Sequence, residues 1–324
     1  MKISQAAWNE YWQNLTTQIA AGDAPDVWTN QGSYYPQFVS SGQILDIQPY
    51  VTADKVDLSQ YQGGLADLFT KGDQRFGLPK DWDTMALVYN TEHLKAQGID
   101  AASLANLTWN PTDGGTFEQL IAKATVDEKG RNGLDPAFDK TKVKVFGYLP
   151  EWADGSQGQN GWGNLAASNG FTYLDKNPWG TQYKYDDPKL AQTIDWFKSL
   201  SAKGYAPALD KASTLSRDSL LNAGKGAITF AGSWMINSYL GEGAKLKFAF
   251  APLPPARRAA RRRSTACRTR SGPAPSTRTR PGSGSSSWAR PTARTSWAAT
   301  AWSSPPSRPP ARRPWPRTPP RAAT

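Results

Sequence analysis

The stretch that decides the fold is Phe76-Gly-Leu-Pro-Lys-Asp-Trp-Asp-Thr-Met-Ala-Leu-Val-Tyr-Asn-Thr-Glu-His-Leu94. The glycine and the proline near its start break the chain. Two carboxylates then flank a large aromatic side chain, at Asp81, Trp82 and Asp83. We expect this group of acids and an indole ring to lie at a cleft.

The apolar run that follows, Met85 to Tyr89, is typical of a buried strand. Asn90 or Thr91 can cap a helix that begins at Glu92. We interpret the strand as the segment that carries the chain from one lobe into a second lobe. The acidic and aromatic group just before it would then lie in the cleft between the two lobes.

Composition divides the chain into two unlike segments. The whole chain has 38 Lys and Arg, but 16 arginines lie in residues 255–324, which leaves 22 basic residues against 27 acidic ones in residues 1–254. The body is therefore mildly acidic, and it lacks the basic patch that nucleic-acid binding requires. The whole chain has a single cysteine, Cys267 in the tail, so a disulfide within one chain is excluded. No apolar run approaches the roughly 18 residues of a membrane span, and no signal peptide is present as written.

The tail uses only eight residue types: Pro, Ala, Arg, Ser, Thr, Gly, Trp and Cys. These are the types whose codons have G or C at the second base, which a one-base slip in a GC-rich gene produces. In the neighbouring frame, residues 277–292 can encode HPDAAWKWVKFLGSPD, the start of an amphipathic helix. We interpret residues 255–324 as a disordered frameshift product, because without Leu, Ile, Val or Phe no core can form; a true Arg/Pro-rich arm is the alternative.

Helical periodicity and short apolar runs alternate along the body. Helices are predicted at 8–19, 34–39, 58–69, 92–97, 116–124, 188–200, 218–222 and 235–240, and strands at 26–28, 75–78, 85–89, 143–149, 227–230 and 246–251. This alternation predicts α/β lobes with largely parallel sheets covered by helices. Residues 127–140 read as a solvated loop, since Lys129 stands where a calcium loop needs an oxygen ligand.

Asn30 and Gln31 follow the predicted strand 26–28, the position at which open α/β sheets bind ligands. They are candidate ligand contacts, and an ordinary polar loop is the alternative. Core packing is the expected role of Trp8, Trp12 and Trp196.

Four motifs follow one another along the body: the helix end at 18–27, the Gly-x-Leu-x-Asp-Leu-like element at 42–47, the crossover Leu87-Val88-Tyr89-Asn90 with Leu94, and the late glycine-tryptophan element spanning 224–227 and 232–234. In this order they resemble the motifs of bacterial extracellular solute-binding proteins of the sugar-uptake class. The resemblance covers residues 4–254. It implies a two-lobe periplasmic-binding-protein-like (type II) fold, incomplete at both ends, with lobe 1 in 1–83 and lobe 2 in 84–254. The family's first strand and its return segment to lobe 1 have no counterpart in the readable body.

The resemblance also implies a function and a set of contacts. Such proteins close on a ligand outside the cell or in the periplasm and hand it to an ATP-driven permease. It places Asp83 at the acidic contact, Asn30 and Gln31 among the polar contacts of the first lobe, and Trp162 and Trp234 at aromatic contacts of the second. We expect a monomer with a sugar or oligosaccharide ligand, without cofactor, metal, catalytic residue or nucleic acid.

The residue types agree with a carbohydrate ligand. Sugar hydroxyls need acceptors and donors such as Asp, Asn and Gln side chains, and the C–H faces of a sugar suit a tryptophan ring. Asp81, Trp82, Asp83, Trp162 and Trp234 are therefore candidates, with core packing as the alternative for the tryptophans.

Two other functions stay open. A carbohydrate-acting hydrolase could draw a carboxylate pair from Glu151, Asp81 and Asp83, although Asp81 and Asp83 are too close in sequence to need opposite faces of a substrate. The single His93 leaves little basis for a histidine triad. Alternatively, the chain is a non-functional product in which lobe 2 is the better-formed half.

The frameshift hypothesis predicts the gene sequence. We expect a one-base insertion or deletion within codons 254–259, and correcting it should restore a frame that encodes Leu, Ile and Val downstream. Resequencing the gene in several independent reads checks this. An intact reading frame through these codons would contradict it.

Overall fold

The structure is a computed structural model that describes residues 3–152, 158–177, 179–208, 210, 216–244 and 246–255. These residues form two compact units, one ending at Trp82 and the other beginning at Asp83. The Arg/Pro-rich tail, predicted to be disordered, lies outside the described residues from 256 onward.

The first unit consists mainly of short helices. Its elements are α1 (Trp8–Ala21), α2 (Tyr35–Ser40), α3 (Gln48–Ala53), a 3₁₀ turn (Leu58–Gln60) and a hairpin of β1 (Thr70–Lys71) with β2 (Gln74–Arg75). The apolar stripe of α1 packs inward, and the ring of Trp12 stacks on that of Tyr34 at 3.9 Å. Gly22 ends the helix in the left-handed conformation with φ of 73°, which favours glycine.

Three predictions for this unit are wrong. Residues 26–28 form no strand, and the predicted strand at 75–78 stops at Arg75. The predicted helix at 58–69 is a single 3₁₀ turn followed by turns, because Gly64 adopts a φ of 85°. The segment instead closes over the buried guanidinium of Arg75, which donates to the carbonyl of Ala66 and pairs with Asp67 at 2.9 Å.

The second unit is a five-stranded sheet with helices. Its strands are β3 (Met85–Asn90), β4 (Val126–Asp127), β5 (Val143–Tyr148), β6 (Gly226–Gly232) and β7 (Phe248–Ala251). Its helices are α4 (Thr91–Ala96), α5 (Gly115–Ala124), α6 (Trp162–Ser168), α7 (Pro188–Ala202), α8 (Arg217–Asn222) and α9 (Ile236–Leu240), with 3₁₀ turns at Ala101–Asn106 and Ser233–Met235. The predictions at 85–89, 92–97, 116–124, 143–149, 188–200, 218–222 and 227–230 are confirmed to within two residues at each end.

The sheet has the strand order β4-β5-β6-β3-β7. β3 pairs antiparallel with β6, with Met85 opposite Gly232 and Tyr89 opposite Ile228, and it also pairs antiparallel with β7. Among the described strands of this sheet, only β5 and β6 run parallel. The prediction of a largely parallel sheet is therefore wrong, because β3 lies between two strands that run opposite to it.

The core of the second unit is built on the two central strands. Every residue of β6 is buried, as are the last four of β3, which matches the uninterrupted apolar runs in their sequences. The hydroxyl of Thr229, within β6, donates to the carbonyl of Leu149 at 2.7 Å. Trp196 is buried as predicted, as is Trp12 in the first unit, but Trp8 is 48 % exposed, so core packing is wrong for Trp8.

The loop after β4 is organised around one buried carboxylate. Asp127 accepts from the backbone N–H groups of Lys129, Arg131 and Asp139 at 2.9–3.0 Å and pairs with the Arg131 guanidinium at 2.7 Å. The prediction of a solvated loop is wrong for Asp127, whose side chain is almost fully buried. Burial alone raises the pKa of Asp127, but these donors outweigh burial and hold that pKa well below its usual range.

This carboxylate gives the stability a predictable pH dependence. Because the folded-state pKa is depressed, the contribution of Asp127 is present above the unfolded pKa of about 3.9 and is lost as the pH falls below it. We expect Asp127→Asn to lower the melting temperature at pH 7 and the gap to the wild type to narrow below about pH 4. Melting curves measured by circular dichroism from pH 7 to pH 3 check this.

Asp135→Asn is the matched control, since Asp135 lies exposed in the same loop and asparagine can still accept the backbone N–H of Ala137. A pH-independent gap for Asp127→Asn, or an equal loss in the control, would contradict the assignment.

Candidate functional site

Three chain segments of the second unit meet at one end of its sheet. Parallel pairing directs the ends of β5 and β6 toward the same end of the sheet, with Tyr148 opposite Ile228 and β6 continuing to Gly232. Antiparallel pairing places the start of β3 at the same end, with Met85 opposite Gly232. Residues 83–85, 151–152 and 231–234 therefore converge, at the kind of sheet end where α/β proteins bind ligands. We call this region the sheet-end site.

Asp83 is fixed at this site by Ser233. The hydroxyl of Ser233 donates to Asp83 Oδ1 at 2.7 Å, and it accepts the backbone N–H of Thr84 at 3.2 Å. The backbone N–H of Ser233 in turn donates to the carbonyl of Thr84 at 2.9 Å. These bonds join residues 149 to 150 positions apart in the sequence. The sequence motif contained Ser233, but sequence reasoning did not select it as a site residue.

Trp234 follows Ser233 in the chain and presents an indole ring at the same end of the sheet. Its side chain is 43 % exposed, although the strand before it is completely buried. The ring lies against Gly232, where an added Cβ would come within 2.1 Å of two ring carbons. Glycine at position 232 therefore lets the ring lie close to the strand backbone, and the exposed ring offers a flat apolar surface at the sheet end.

Trp162 occupies a different environment. It begins α6 and is partly buried, with its ring against that of Phe171 at a centroid distance of 6.3 Å. Gly161, just before it, lies against the backbone carbonyl of Glu151, which ties the start of α6 to the sheet end. Gln159 belongs to the same segment, and its Nε2 lies 3.9 Å from Met85 Sδ.

Glu151 of the sheet-end site belongs to an ion-pair network that sequence reasoning missed. Arg217 is almost fully buried, and it donates to Asp218 Oδ1 from Nε at 3.1 Å and to the carbonyl of Phe230 from Nη1 at 3.1 Å. Nη1 also lies 3.7 Å from Oε2 of Glu151, a carboxylate that is 30 % exposed. Burial alone lowers the pKa of Arg217, but the charge of Asp218, with Tyr239 and Glu151, raises it above its ordinary value.

The sequence makes Glu151 a candidate only for the hydrolase. Its position three residues after the carboxyl end of β5 is the signal that could have placed it at a ligand site. Arg217 carried a weaker signal, as one of only three arginines in residues 1–254.

Two polar atoms beside Glu151 are buried and have no hydrogen-bond partner among the residues that the structure describes. They are the hydroxyl of Tyr148 and the indole Nε1 of Trp152. Burial raises the pKa of Tyr148, so its hydroxyl stays protonated and uncharged.

The other predicted site residues belong to the first unit. Asn30 Oδ1 accepts the backbone N–H of Gln31 at 3.0 Å, and Gln31 Oε1 accepts the hydroxyl of Ser33. Asp81 pairs with Lys80, and Trp82 is 47 % exposed. The second unit alone thus brings together Asp83, Trp234 and the segment that begins α6 with Trp162.

The residues that the structure describes contain no group of three or more His, Cys, Asp or Glu side chains arranged to hold a metal ion. In that same part of the chain, no helix is long and apolar enough to cross a membrane.

Comparison with known proteins agrees with this architecture. A sequence profile of the bacterial extracellular solute-binding proteins matches residues 1–306, and the chain belongs to that family. Maltodextrin-binding protein MdxE of Bacillus subtilis (strain 168) is 24% identical over 258 residues, which are 78% of this chain and 53% of MdxE.

Solved structures share the fold. UspC of M. tuberculosis has a TM-score of 0.59 at 24% identity, covering 78% of this chain and 60% of UspC. The ABC substrate-binding protein Lmo0181 of Listeria monocytogenes, in complex with cycloalternan, has a TM-score of 0.64 at 20% identity, covering 79% and 59%. The predicted periplasmic-binding-protein-like α/β fold is confirmed, and the chain spans between about half and three-fifths of the length of these relatives.

The contact between Gly232 and Trp234 can be tested by substitution. Gly232 has a φ of −89°, which alanine tolerates, so Gly232→Ala acts only through its Cβ and should displace the Trp234 ring. Because that ring is half-exposed and can swing outward, we expect the free energy of unfolding to change by no more than about 1 kcal/mol.

Fluorine NMR of protein labelled with 5-fluorotryptophan measures the displacement, and Trp234→Phe assigns the resonance. The matched control is Gly243→Ala, where no described atom lies within 4 Å of the added Cβ. A Trp234 resonance that does not move in Gly232→Ala would contradict the packing described above.

Proposed function

We propose that this protein is the substrate-binding component of an ABC importer and that it binds a sugar or oligosaccharide. The observation that carries the proposal is the sheet-end site, where Ser233 holds the Asp83 carboxylate and the next residue, Trp234, has a half-exposed ring. A carboxylate accepts hydrogen bonds from sugar hydroxyls, and an indole face packs on the C–H face of a sugar ring. The printed names of relatives, one binding maltodextrin and one in complex with cycloalternan, support the same class of ligand.

The proposal includes a cellular role. The family is extracellular, so we place the protein outside the cell or in the periplasm, where a monomer would deliver its ligand to the permease subunits of the importer. We propose no nucleic-acid partner, because residues 1–254 carry more acidic than basic side chains.

We further propose that the unit ending at Trp82 corresponds to lobe 1 and that the unit beginning at Asp83 corresponds to lobe 2. The family resemblance brings Asn30, Gln31, Asp81 and Trp82 into the proposed set of ligand contacts, beside Asp83, Trp162 and Trp234. Hinge closure of two lobes on a ligand is a general mechanism of such proteins.

A carbohydrate-acting hydrolase is the second candidate function. It stays a candidate because Glu151, a possible catalytic acid, lies at the same end of the sheet as Asp83. The relatives are solute-binding proteins, so we propose that the chain has no hydrolase activity. Release of p-nitrophenol from a panel of aryl glycosides would overturn that statement.

Binding is tested by calorimetry with maltotriose, mannobiose and cycloalternan, on the 324-residue chain and on protein from the frame-restored gene. We expect at least one ligand to bind, and Trp234→Ala to weaken it about tenfold, since an aromatic contact is worth up to about 1.5 kcal/mol. Trp8→Ala is the matched control, because Trp8 has a similar exposure of 48 % and should leave affinity within about twofold.

The outcomes separate the alternatives. Binding by the restored protein alone would support the function and identify the 324-residue chain as a non-functional product. Absence of binding by both proteins, or equal losses in the two tryptophan variants, would contradict the proposed function.

A further inference from the structure

Strand β5 ends before its neighbour β6, and a side chain takes its place. Leu149, directly after β5, donates its backbone N–H to the carbonyl of Ile228 at 2.9 Å. β6 continues to Gly232, and the carbonyl of Phe230 points to the same side as that of Ile228, because carbonyl directions alternate along a strand. Nη1 of Arg217 donates to the Phe230 carbonyl at 3.1 Å. The guanidinium therefore occupies the position that the next backbone donor of a longer β5 would fill.

The guanidinium of Arg217 is held in this position by two further residues. Its Nε donates to Oδ1 of Asp218 at 3.1 Å, and its Nη2 donates to Oδ2 of the same carboxylate at 3.3 Å. Oδ1 of Asp218 also accepts the hydroxyl of Tyr239, a buried residue of α9, at 2.6 Å. The side chain of Arg217 is only 7 % exposed. A buried, planar guanidinium with these bonds is a fixed point at the end of the sheet.

Glu151 contacts this fixed point. Its Oε2 lies 3.7 Å from Nη1 of Arg217, the same nitrogen that donates to the Phe230 carbonyl. The side chain of Glu151 is 30 % exposed, so the carboxylate can still accept a hydrogen bond from a ligand. A glutamate side chain has several rotamers, and selecting one of them on binding costs free energy. A charged partner that orders the side chain beforehand removes part of that cost.

We propose that Arg217 is a positioning residue of the sheet-end site and holds the Glu151 carboxylate in place to accept one hydroxyl group of the ligand. Arg217 acts through Glu151 and not by its own contact with the ligand, because its side chain is buried and its donors are engaged by Asp218 and Phe230. The inference rests on the proposed function, which supplies a ligand with hydroxyl groups.

Carbon-13 NMR tests the contact between Arg217 and Glu151 without a ligand. The glutamates are labelled at Cδ, and the resonance that Glu151→Gln removes belongs to Glu151. We expect Arg217→Gln to shift this resonance, because the charge beside the carboxylate is lost. Arg131→Gln is the matched control, since Arg131 pairs with Asp127 at 2.7 Å at the end of the sheet where β5 begins. It should leave the Glu151 resonance in place.

Sugars that lack one hydroxyl group test the role in binding. Maltotriose, mannobiose and the monodeoxy derivatives of each are titrated by calorimetry into the 324-residue chain and into the frame-restored protein. Removal of the hydroxyl that Glu151 accepts should weaken binding to the wild type about tenfold. Glu151→Ala and Arg217→Gln should each reduce this loss to about twofold and leave the losses for the other hydroxyls unchanged. Arg131→Gln should keep the full loss.

A conservative variant separates the geometry of Arg217 from its charge. Lysine keeps the positive charge but lacks the planar fork that bonds to Asp218 and Phe230 together. For the affected hydroxyl, Arg217→Lys should therefore give a loss between those of the wild type and Arg217→Gln. Urea unfolding curves establish that each variant is folded, and if Arg217→Gln does not fold, Arg217→Lys takes its place in both measurements.

The outcomes distinguish two failures. If no sugar binds either protein, the proposed function fails and the inference falls with it. If sugars bind, the inference alone is overturned by any of three results: the Arg217 variant leaves the Glu151 resonance in place, it changes the losses for all hydroxyls alike or for none, or Arg131→Gln has the same effect. Arg217 would then have only a structural role, while the binding function stands.

Discussion

The second unit depends on the antiparallel pairing of β3 with β6. Met85 to Tyr89 lie opposite Ile228 to Gly232, and this register joins segments about 140 residues apart in the chain. Both strands are buried, so each unpaired peptide group at this position would cost hydrogen-bond energy that water cannot restore. A slip of one residue would turn every side chain to the opposite face and would take Leu87 and Tyr89 out of the core cluster that contains Ile228 and Phe230, so packing fixes the register. The register in turn sets Thr84 beside Ser233.

The site follows from this pairing. Ser233 can hold Asp83 only because the end of β6 and the start of β3 are opposite each other. Glu151 reaches the same place because β5 runs parallel to β6 and ends beside it. The acids and the indole ring thus come from three distant parts of the sequence, and a rigid sheet positions them more firmly than a mobile loop would.

The sequence predicted the central strands and most helices of the second unit, because continuous apolar runs and helical periodicity are local signals. The sequence did not predict the features that depend on the direction of strand pairing or on local backbone conformation. Alternating elements suggested parallel strands, yet the pairing direction of β3 is a long-range property that no local pattern carries. The helix predicted at 58–69 had acceptable periodicity, but the positive φ of Gly64 and the burial of Arg75 favour turns. For the site, the motif indicated Asp83 and Trp234, whereas the contact between Glu151 and Arg217 joins residues that no spacing rule relates.

The two ends of the sheet use the same residue types for different purposes. At the end where β5 begins, Asp127 accepts three backbone N–H groups and pairs with Arg131, so its bonding capacity is used within the protein. At the end where β5 finishes, Glu151 is 30 % exposed and lies 3.7 Å from an arginine that Asp218 already engages. A carboxylate whose acceptors are all occupied stabilises the fold, since exchanging one of its bonds for a ligand would gain nothing. A carboxylate that is anchored by charge but stays partly exposed can still accept a hydroxyl group from a ligand. On this difference in occupancy, rather than on the presence of acids, we base the proposal that the end with Asp83, Glu151 and Trp234 binds the ligand.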